Sequence, residues 1–404
     1  MTPAPPSPPA ARTAPPTAAG EERAAGPRVM IVAGEASGDA IAAGLIDAVR
    51  EQRPGARFEG VAGPRMEAAG CRALYPSDRL AVVGLTEVLR HFGDIREVFN
   101  GLKRRLREDP PDLLVCVDLP DFNLRLARVA KRAGVPVVYY VSPQVWAWRR
   151  GRVRGIGRVV DHMLVIFPFE MEVYEAAGVP VTYVGNPIVE RLAEVPDRQA
   201  ARERLGLAAE APVVALLPGS RRSEVLRMAP VLLEAAELLE PRFPGIRFVL
   251  PVAGPEVAQV LDEVQAEMGP AGLVRCDDSI TATAAADCAA VTSGTATLET
   301  AVVGTPLIVL YKLSPVTFWL ARRLVRVSYI GMVNLIAGRE VAPELIQGDA
   351  EPQTVAETLA ELLEDPHRRE KARAELAGVR ETLGHEPSRR AAEVVAGFLA
   401  DARA

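Results

Sequence analysis

Short apolar runs alternate with longer amphipathic segments along the chain from residue 28 onward. Each apolar run is only a few residues long, as expected of a strand that is buried on both faces. The segments between the runs have helical length and spacing, as at 39–52 and 122–133. The pattern predicts strands at 28–32, 57–61, 113–117, 137–141, 163–167, 181–184, 213–217, 248–252, 289–291 and 307–310.

One break in this alternation divides the chain. Residues 186–204 form a charged stretch without strand character, after which the alternation restarts. Alternating strands and helices indicate parallel sheets covered on both faces. The sequence therefore predicts an α/β protein with two Rossmann-like, doubly wound domains that face each other across a cleft. The predicted division is a disordered Pro/Ala-rich tail at 1–26, an N-terminal Rossmann-like domain at 27–190, a C-terminal Rossmann-like domain at 191–350 and closing helices at 351–404.

Composition narrows the class of protein. The 404 residues are 49% hydrophobic and 25% charged with a net charge of −5, so bulk nucleic-acid binding is not expected. No run approaches the roughly 20 apolar residues of a membrane-spanning helix, and the tail lacks the apolar core of an export signal. Four scattered cysteines and four histidines without ligand spacing predict no metal site and favour a reducing cytosol.

In doubly wound sheets, ligands bind at the loops that follow the strands, so these loops are the candidates for chemistry. The first is GEASGD, in which Gly34, Glu35 and Ser37 are candidate ligand contacts. Its spacing differs from dinucleotide-binding and P-loop fingerprints. The alternative is an ordinary turn in which Ser37 or Asp39 caps the next helix.

The loop LPGSRRSE follows the first strand of the second domain. Gly219 frees the backbone there, and Ser220, Ser223 and Glu224 have capping character. Free N–H groups at a helix start and the guanidinium groups of Arg221 and Arg222 suit a diphosphate. A capped helix with solvated arginines is the alternative.

The loop TSGTATLE repeats this chemistry. Ser293, Gly294 and Thr295 place small donors at another helix start, and Glu299 follows one turn later on the same face. We expect the donors to assist in binding phosphate and the carboxylate to bind the ribose hydroxyls. A cap rich in serine and threonine with a surface glutamate is the alternative.

A candidate general base lies in the loop DLPDFN. Asp118 follows a strongly apolar strand and is expected to be partly buried at the cleft. A purely structural acceptor is an equal alternative for Asp118. Asp121 resembles the N-cap of the next helix, although a role as the base is left open.

A basic and aromatic cluster follows the strand predicted at 137–141. The motif YVSPQVWAWRR contributes Trp146, Trp148, Arg149 and Arg150, and further arginines follow at Arg152, Arg154 and Arg158. Acceptor phosphate or anionic headgroups would suit these side chains, and RNA is a competing ligand that the acidic chain disfavours.

Two stretches have amphipathic spacing. The side chains of Leu85, Val88, Leu89 and Phe92 form one helical stripe, which suits either a core or a membrane contact. Residues 315–329 place three arginines on one arc with Trp319 among them, as in an interfacial helix. The arginines are Arg322, Arg323 and Arg326.

The motifs VAGEASGD, GVAGPRM, DLPDFN, YVSPQVWAWR, LLPGSR, SGTATLE and NLIAGRE, in this order from residue 28 to residue 339, resemble the lipid-A-disaccharide synthase family. One departure is Gln144, where many members have serine. The resemblance implies a GT-B-type fold and a peripheral place on the cytoplasmic face of the inner membrane. It implies that the domain at 27–190 faces the acceptor and the membrane and that the domain at 191–350 binds the UDP-sugar, with Gly34, Glu35 and Ser37 as further UDP-sugar contacts. It also matches Asp118, Arg221, Glu299 and Asn334 to functional positions of the family.

The resemblance implies inverting transfer of 2,3-diacylglucosamine from UDP-2,3-diacylglucosamine to 2,3-diacylglucosamine 1-phosphate. The products are a β-1,6-linked disaccharide 1-phosphate and UDP, without a cofactor or metal. Asp118, Arg221 and Asn334 are the expected catalytic residues. Rival functions are another GT-B enzyme, such as a UDP-N-acetylglucosamine 2-epimerase, and a non-catalytic lipid-binding or nucleotide-binding protein. Homo-oligomerisation is left open.

Overall fold

The computed structural model describes residues 26–80, 92–148, 150–314, 317–319, 323 and 328–401. Its strands form two sheets in which every neighbouring pair is parallel. Over the described residues the first sheet has the order β3-β2-β1-β4-β5-β6-β7 and the second the order β10-β9-β8-β11-β12-β13. Both orders reverse beside the first strand of the domain, which creates a crevice at the carboxyl ends of the strands.

The strands of the first sheet are β1 (Arg28–Val32), β2 (Arg57–Ala62), β3 (Arg72–Pro76), β4 (Leu113–Val117), β5 (Val137–Tyr140), β6 (His162–Val165) and β7 (Val181–Tyr183). The strands of the second sheet are β8 (Val213–Leu217), β9 (Arg247–Pro251), β10 (Leu273–Cys276), β11 (Cys288–Thr292), β12 (Leu307–Tyr311) and β13 (Glu344–Ile346). The predicted α/β class with two doubly wound sheets is confirmed.

Helices follow most strands. The first half of the chain has α1 (Ala36–Gln52), α2 (Pro64–Ala68), α3 (Phe92–Glu108), α4 (Pro120–Arg132), α5 (Val145–Trp148), α6 (Val153–Ile156), α7 (Phe169–Glu175), α8 (Ile188–Arg191) and α9 (Arg198–Arg204). The second half has α10 (Arg222–Leu239), α11 (Pro255–Gln265), α12 (Ser279–Ala285), α13 (Thr295–Val303), α14 (Met332–Ala337), α15 (Pro352–Glu364), α16 (Pro366–Thr382) and α17 (Pro387–Asp401). Short 3₁₀ turns occupy Ser77–Arg79, Arg150–Arg152 and Gln347–Asp349.

Apolar side chains of the central strands fill a core on each face of each sheet. In β1, Val29 and Ile31 enter one core while Met30 and Val32 enter the other, as strand alternation requires. In the second sheet, β8 divides its side chains in the same way. Burial on both faces explains why the central strands read as continuous apolar runs in the sequence.

Three edge strands were not predicted from the sequence. β3, β10 and β13 each lie at the edge of a sheet, and most of their residues are only half-buried or are exposed. An edge strand needs fewer apolar residues, so its hydrophobic signal is weak. The charged residues 186–204 contain no strand, as predicted, and instead form α8 and α9.

The last helix returns to the first sheet. Ala391, Ala392, Val395 and Leu399 of α17 pack in the same core as β1 and α1, whereas Val355 and Leu359 of α15 pack in a core of the second sheet. The chain thus crosses between the two domains twice. None of the helices in the described part of the chain is long and apolar enough to span a membrane.

Candidate active site

A cavity of about 1670 Å³ lies between the carboxyl ends of the two sheets. It exceeds the roughly 300–1,000 Å³ of a common small-molecule pocket. The first domain contributes the start of α1 and the loops after β2, β4, β5 and β6. The second contributes the loop after β11, the end of β12, residues 328–332 and parts of α14 and β13. The site therefore needs both domains.

Asp118 lines the cavity immediately after β4. Its φ is 53° and that of Leu119 is 47°, in the left-handed region that non-glycine residues seldom occupy. Asn123 and Tyr139 hold this conformation, because the Asn123 Nδ2 group (2.8 Å) and the Tyr139 hydroxyl both donate to the Asp118 carbonyl oxygen. Burial raises the pKa of Asp118, and the nearby charge of Glu35 raises it further. A raised pKa brings a carboxylate closer to the range that suits a general base.

Val141, at the end of the neighbouring strand β5, has a similarly strained backbone conformation. Its φ is 66°, which is unfavourable for a β-branched residue. It lines the cavity together with Gln144 and Trp146 of the following loop. Strained residues cluster where a surrounding structure fixes a functional geometry, and here they border the cavity on two adjacent strands.

Asp121 does not cap α4, contrary to the sequence prediction. The N-cap position is Leu119, because Pro120 is favoured at the first helical position and starts the helix two residues earlier than an Asp121 cap would. The Asp121 side chain is 86% exposed and pairs with Arg152 at 3.4 Å, and it is not among the cavity-lining residues. Of the two aspartates, only Asp118 lines the cavity.

The GEASGD loop is organised differently from the expected cap. Glu35 occupies the N-cap position of α1, and neither Ser37 nor Asp39 caps that helix. Ser37 is exposed and lines the cavity, while Gly34 is buried beside the Leu119 side chain. The buried Asp39 instead accepts hydrogen bonds from backbone N–H groups of the loop after β2.

The loop before α10 lies beside the cavity. Gly219 has a φ of 111°, and a Cβ there would lie 2.7 Å from the Glu224 Oε2 atom, so this position requires glycine. The expected serine cap does not form, because Arg221 takes the N-cap position. The backbone N–H of Arg221 donates to Glu224 Oε2 at 3.3 Å, and the Arg221 guanidinium pairs with Glu224 Oε1 at 3.1 Å. Neither Ser220 nor Arg221 is a lining residue.

Tyr311 connects that loop to the cavity, which it lines. Burial raises the pKa of its hydroxyl, Glu224 raises it further and Arg221 lowers it. Arg221 and Glu224 therefore lie near enough to Tyr311 to influence its hydroxyl in opposite senses. The Arg221 side chain is itself 73% exposed, so an anion can reach its guanidinium alongside the pairing with Glu224.

The SGTATLE loop lines the cavity through Ser293, Gly294 and Thr295, with Gly294 at the N-cap of α13. Glu299 lies one turn further and is not a lining residue. Its carboxylate pairs with Arg191 and accepts from the Ser279 hydroxyl at 3.5 Å. The expected ribose contact of Glu299 stays a prediction.

Asn334 is fully buried in α14, behind the cavity wall. Its Oδ1 accepts from the N–H groups of Val341 and Ala342, and its Nδ2 donates to Glu344 at 2.8 Å and to the Ala342 carbonyl. These bonds occupy both ends of the amide. A catalytic contact by Asn334 stays a prediction, while its observed contact positions Glu344.

Sequence reasoning missed Glu344, which lines the cavity on the edge strand β13. Its carboxylate accepts from the backbone N–H groups of Ile330 and Gly331, both at 2.9 Å, and from Asn334. It thereby fixes the start of α14 at the cavity. An isolated glutamate in a short half-exposed strand offers no motif that could have revealed it.

Trp146 is the member of the basic and aromatic cluster that the described residues place at the cavity. It packs edge-to-face against Phe169 at 5.0 Å. Trp148 ends α5, Arg150 begins a 3₁₀ turn, and Arg149 lies outside the described residues. Leu85, Val88 and Leu89 also lie outside them, and Phe92 begins α3.

Comparison with known proteins identifies the family of this two-domain site. A sequence profile described as lipid-A-disaccharide synthetase matches residues 29–398. The chain is 51% identical over 365 residues to the lipid-A-disaccharide synthase of Trichlorobacter lovleyi, covering 88% of this chain and 93% of that protein. It is 43% identical over 384 residues to the synthase of Myxococcus xanthus, covering 93% and 99%.

The chain belongs to the lipid-A-disaccharide synthase family. It is therefore a glycosyltransferase of lipid A biosynthesis, and the sequence-based assignment is confirmed. Solved structures support the fold of such an enzyme. MurG of Acinetobacter baumannii matches with a TM-score of 0.56 at 16% identity, covering 92% of this chain and 99% of that one. UDP-GlcNAc 2-epimerase of Neisseria meningitidis matches with a TM-score of 0.62 at 14% identity, covering 93% and 100%.

Proposed function

We propose that this synthase-family chain transfers 2,3-diacylglucosamine from UDP-2,3-diacylglucosamine to 2,3-diacylglucosamine 1-phosphate within the cavity between its domains. The observation that carries the proposal is the placement of two kinds of group on opposite walls. Asp118 lies on the wall of the first domain, and the small donors Ser293, Gly294 and Thr295 lie on the wall of the second. A base for a hydroxyl and donors for a phosphate are the groups that such a transfer requires.

The reaction is a single displacement. The acceptor 6-hydroxyl oxygen attacks the anomeric carbon of the donor, and the carboxylate of Asp118 takes the proton of that hydroxyl. The bond from that carbon to the diphosphate oxygen breaks, and UDP leaves with the bonding electrons. Attack from the face opposite the diphosphate inverts the anomeric configuration and gives the β-1,6 linkage. Arg221 and the donors at the start of α13 stabilise the negative charge that develops on UDP.

No metal is required by this proposal, because Arg221 and helix N–H groups supply the countercharge. Turnover should therefore survive treatment with EDTA. A loss of activity in EDTA that added Mg²⁺ restores would contradict this part of the proposal.

A product assay tests the reaction. Purified protein is incubated with both diacylglucosamine substrates, and the lipid products are analysed by mass spectrometry. We expect a tetraacyl disaccharide 1-phosphate and one UDP for each disaccharide. Turnover of a water-soluble UDP-sugar without disaccharide formation would favour an epimerase or another transferase instead. UDP binding without turnover would favour a binding protein.

Substitution of Asp118 by asparagine tests the base. We expect kcat to fall by about 10²–10⁴-fold while UDP affinity changes little, because an amide cannot accept the proton. The matched control is Asp121→Asn in the same loop, which should stay close to wild type because Asp121 is exposed outside the cavity. Full turnover in Asp118→Asn would remove this residue from the mechanism.

We further propose a peripheral position on the cytoplasmic face of the inner membrane, where both acylated substrates would be reached. Trp319 is 54% exposed, and the Arg323 guanidinium lies 3.7 Å from the centroid of its ring. The neighbouring Phe318 lines the cavity. An exposed aromatic residue with an arginine suits the headgroup region beside a cavity that must admit lipid.

Liposome sedimentation tests this position. Wild type should sediment with anionic vesicles, and salt should weaken only the arginine contribution, at roughly 1 kcal/mol for each residue. If residues 85–92 form a docking stripe, Leu89→Glu should stay folded and move to the supernatant. Unfolding of Leu89→Glu, with no vesicle affinity in wild type, would assign the stripe to the core.

A further inference from the structure

Among the described residues, two arginines line the cavity, Arg65 and Arg191. Arg191 of α8 is paired with Glu299 of the second domain. Arg65 follows β2 in the first domain, on the same side as Asp118. We infer that Arg65 binds the phosphate of the lipid acceptor and so contributes to acceptor selectivity. This inference rests on the proposed function, which supplies the phosphorylated acceptor.

The Arg65 guanidinium is free to bind an anion. The residue is exposed, and its side chain forms no ion pair or hydrogen bond with the described part of the protein. Three other arginines among the described residues of this domain are less suitable. Arg152 pairs with Asp121, and neither Arg154 nor Arg158 lines the cavity. An unpaired guanidinium in a cleft is well suited to a phosphate, to which it can donate two parallel hydrogen bonds.

Hydrogen bonds to a buried carboxylate fix the backbone around Arg65. The Asp39 carboxylate, only 4% exposed, accepts from the N–H groups of Gly63 at 2.9 Å, Arg65 at 3.0 Å and Met66 at 3.1 Å. A Cβ at Gly63 would lie 2.5 Å from the carboxyl carbon of Asp39, so this contact requires glycine. Met66 is fully buried beside it. The cation is thus on a short, anchored segment that is built into the core.

Charge balance in the cavity supports the assignment. Among the described residues, Asp39, Asp118 and Glu190 of the first domain line the cavity, and Arg65 is the lining arginine that has no carboxylate partner. A phosphorylated sugar brought next to Asp118 needs a positive group to offset repulsion. The acceptor has its phosphate on C1 and its reacting hydroxyl on C6, at opposite ends of the sugar. Arg65 and Asp118 would therefore hold the two ends of one molecule.

The decisive experiment compares two acceptors that differ in the phosphate alone, 2,3-diacylglucosamine 1-phosphate and the methyl glycoside of 2,3-diacylglucosamine. For each enzyme variant, the ratio of the two kcat/KM values is measured with the same protein preparation. This ratio does not depend on the fraction of folded enzyme. Wild type should prefer the phosphorylated acceptor, and Arg65→Ala should lose about 10- to 100-fold of that preference, as for a lost hydrogen bond to a charged group.

Additional variants separate phosphate binding from other effects. Arg65→Lys should retain part of the preference, because it keeps the charge without the planar fork. The matched control is Arg53→Ala at the far end of α1, roughly 25 Å from its first turn at 1.5 Å for each residue. It removes one positive charge from the same domain and should keep the wild-type ratio.

Three results would overturn the inference. An equal loss by Arg65→Ala on both acceptors would show a structural role. Weaker UDP binding to Arg65→Ala by calorimetry, with the acceptor ratio unchanged, would place the arginine on the donor diphosphate. Equal use of both acceptors by wild type would show that the phosphate is not recognised, while formation of the disaccharide would still uphold the proposed function.

Discussion

At the scale of single residues, Asp118 illustrates how a strand end prepares a reactive group. The left-handed backbone at Asp118 and Leu119 costs on the order of 1–2 kcal/mol for each residue, and core contacts must offset it. Asn123 and Tyr139 donate to the backbone carbonyl oxygen of Asp118 and not to its carboxylate, which can therefore interact with a ligand in the cavity. Its charge state then depends on burial and on Glu35.

The influence of Glu35 on Asp118 gives a pH prediction. A neighbouring negative charge disfavours ionisation of Asp118, so Glu35→Gln should lower the pKa of Asp118. A base is active when ionised, and the acid limb of the kcat/KM profile should therefore move to lower pH. The control is Glu51→Gln, an exposed change near the other end of α1. If the acid limb of Glu35→Gln stays at the wild-type pH, the ionisation of Asp118 does not produce that limb.

Arg221 gives a second prediction at this scale. Replacement by alanine should weaken UDP binding by about 10- to 100-fold and slow turnover, because a charged hydrogen-bond donor to the diphosphate is lost. Lysine should restore only part of the loss. Arg227→Ala is the matched control, since Arg227 is an exposed arginine further along the same helix, outside the predicted diphosphate site. Calorimetry that shows unchanged UDP binding to Arg221→Ala would contradict the phosphate-binding role.

At the scale of elements, Glu170 joins two loops that form one cavity wall. It is 2% exposed at the start of α7, and its Oε2 accepts from the N–H groups of Ile166 (3.3 Å) and Phe167 (3.1 Å). Burial raises the pKa of Glu170 to about 7, while hydrogen bonding from Ser142 in the loop after β5 opposes the rise. The loops after β5 and β6 thus share one buried carboxyl group.

Glu170 predicts how stability depends on pH. Its pKa is higher in the folded protein than in the unfolded chain, so the folded state favours the protonated carboxyl. This stabilisation is complete below pH 4.5 and is lost as the pH rises through about 7. The difference corresponds to a free energy on the order of 3 kcal/mol.

Urea denaturation at pH 5 and pH 8 measures this effect. Wild type should lose more stability between the two pH values than Glu170→Gln, in which the group no longer titrates. Glu172→Gln, an exposed change on the same helix, should behave like wild type. The same pH dependence in wild type and Glu170→Gln would show that another group is responsible.

At the scale of the whole molecule, the two domains are connected by two neighbouring chain crossings. Gly185 and Gly384 both have positive φ, and a Cβ on Gly384 would lie 3.3 Å from the Gly185 Cα. The Asn186 N–H donates to the Leu383 carbonyl, and the Ser388 N–H and hydroxyl donate to Glu190. The second crossing brings α17 back to the first sheet, so the end of the chain completes the first domain.

Disruption of α17 should therefore affect the first domain more than the second. Val395 is fully buried in the core with β1 and α1, and Val395→Asp would place an unpaired charge there. Hydrogen exchange should accelerate in β1 and α1 while β8 and β11 stay protected. Glu393→Asp, an exposed change on the same helix, is the control. Equal acceleration in both sheets would show that the two domains unfold as one unit.

Local patterns in the sequence determined the central strands, the order of strands and helices and the loops at the strand ends. Burial on both faces leaves a continuous apolar run, as in β1, β4 and β8, and parallel strands necessarily bring their following loops to one edge. The family followed from those loops, because they carry its longest motifs. The hydrophobic pattern of edge strands such as β13 was too weak to predict them, because their half-buried residues need not be apolar.

Only the tertiary structure decided which polar groups meet. Asp39 holds a loop 24 residues further along the chain, Glu344 takes its partners from residues 330–334, and Glu170 is buried beside Ser142. It also separated Asp118 in the cavity from Asp121 in solvent. The spacing of residues encodes local hydrogen bonds and which face is buried. Contacts between distant loops, by contrast, depend on how the sheets close and where the chain crosses between them.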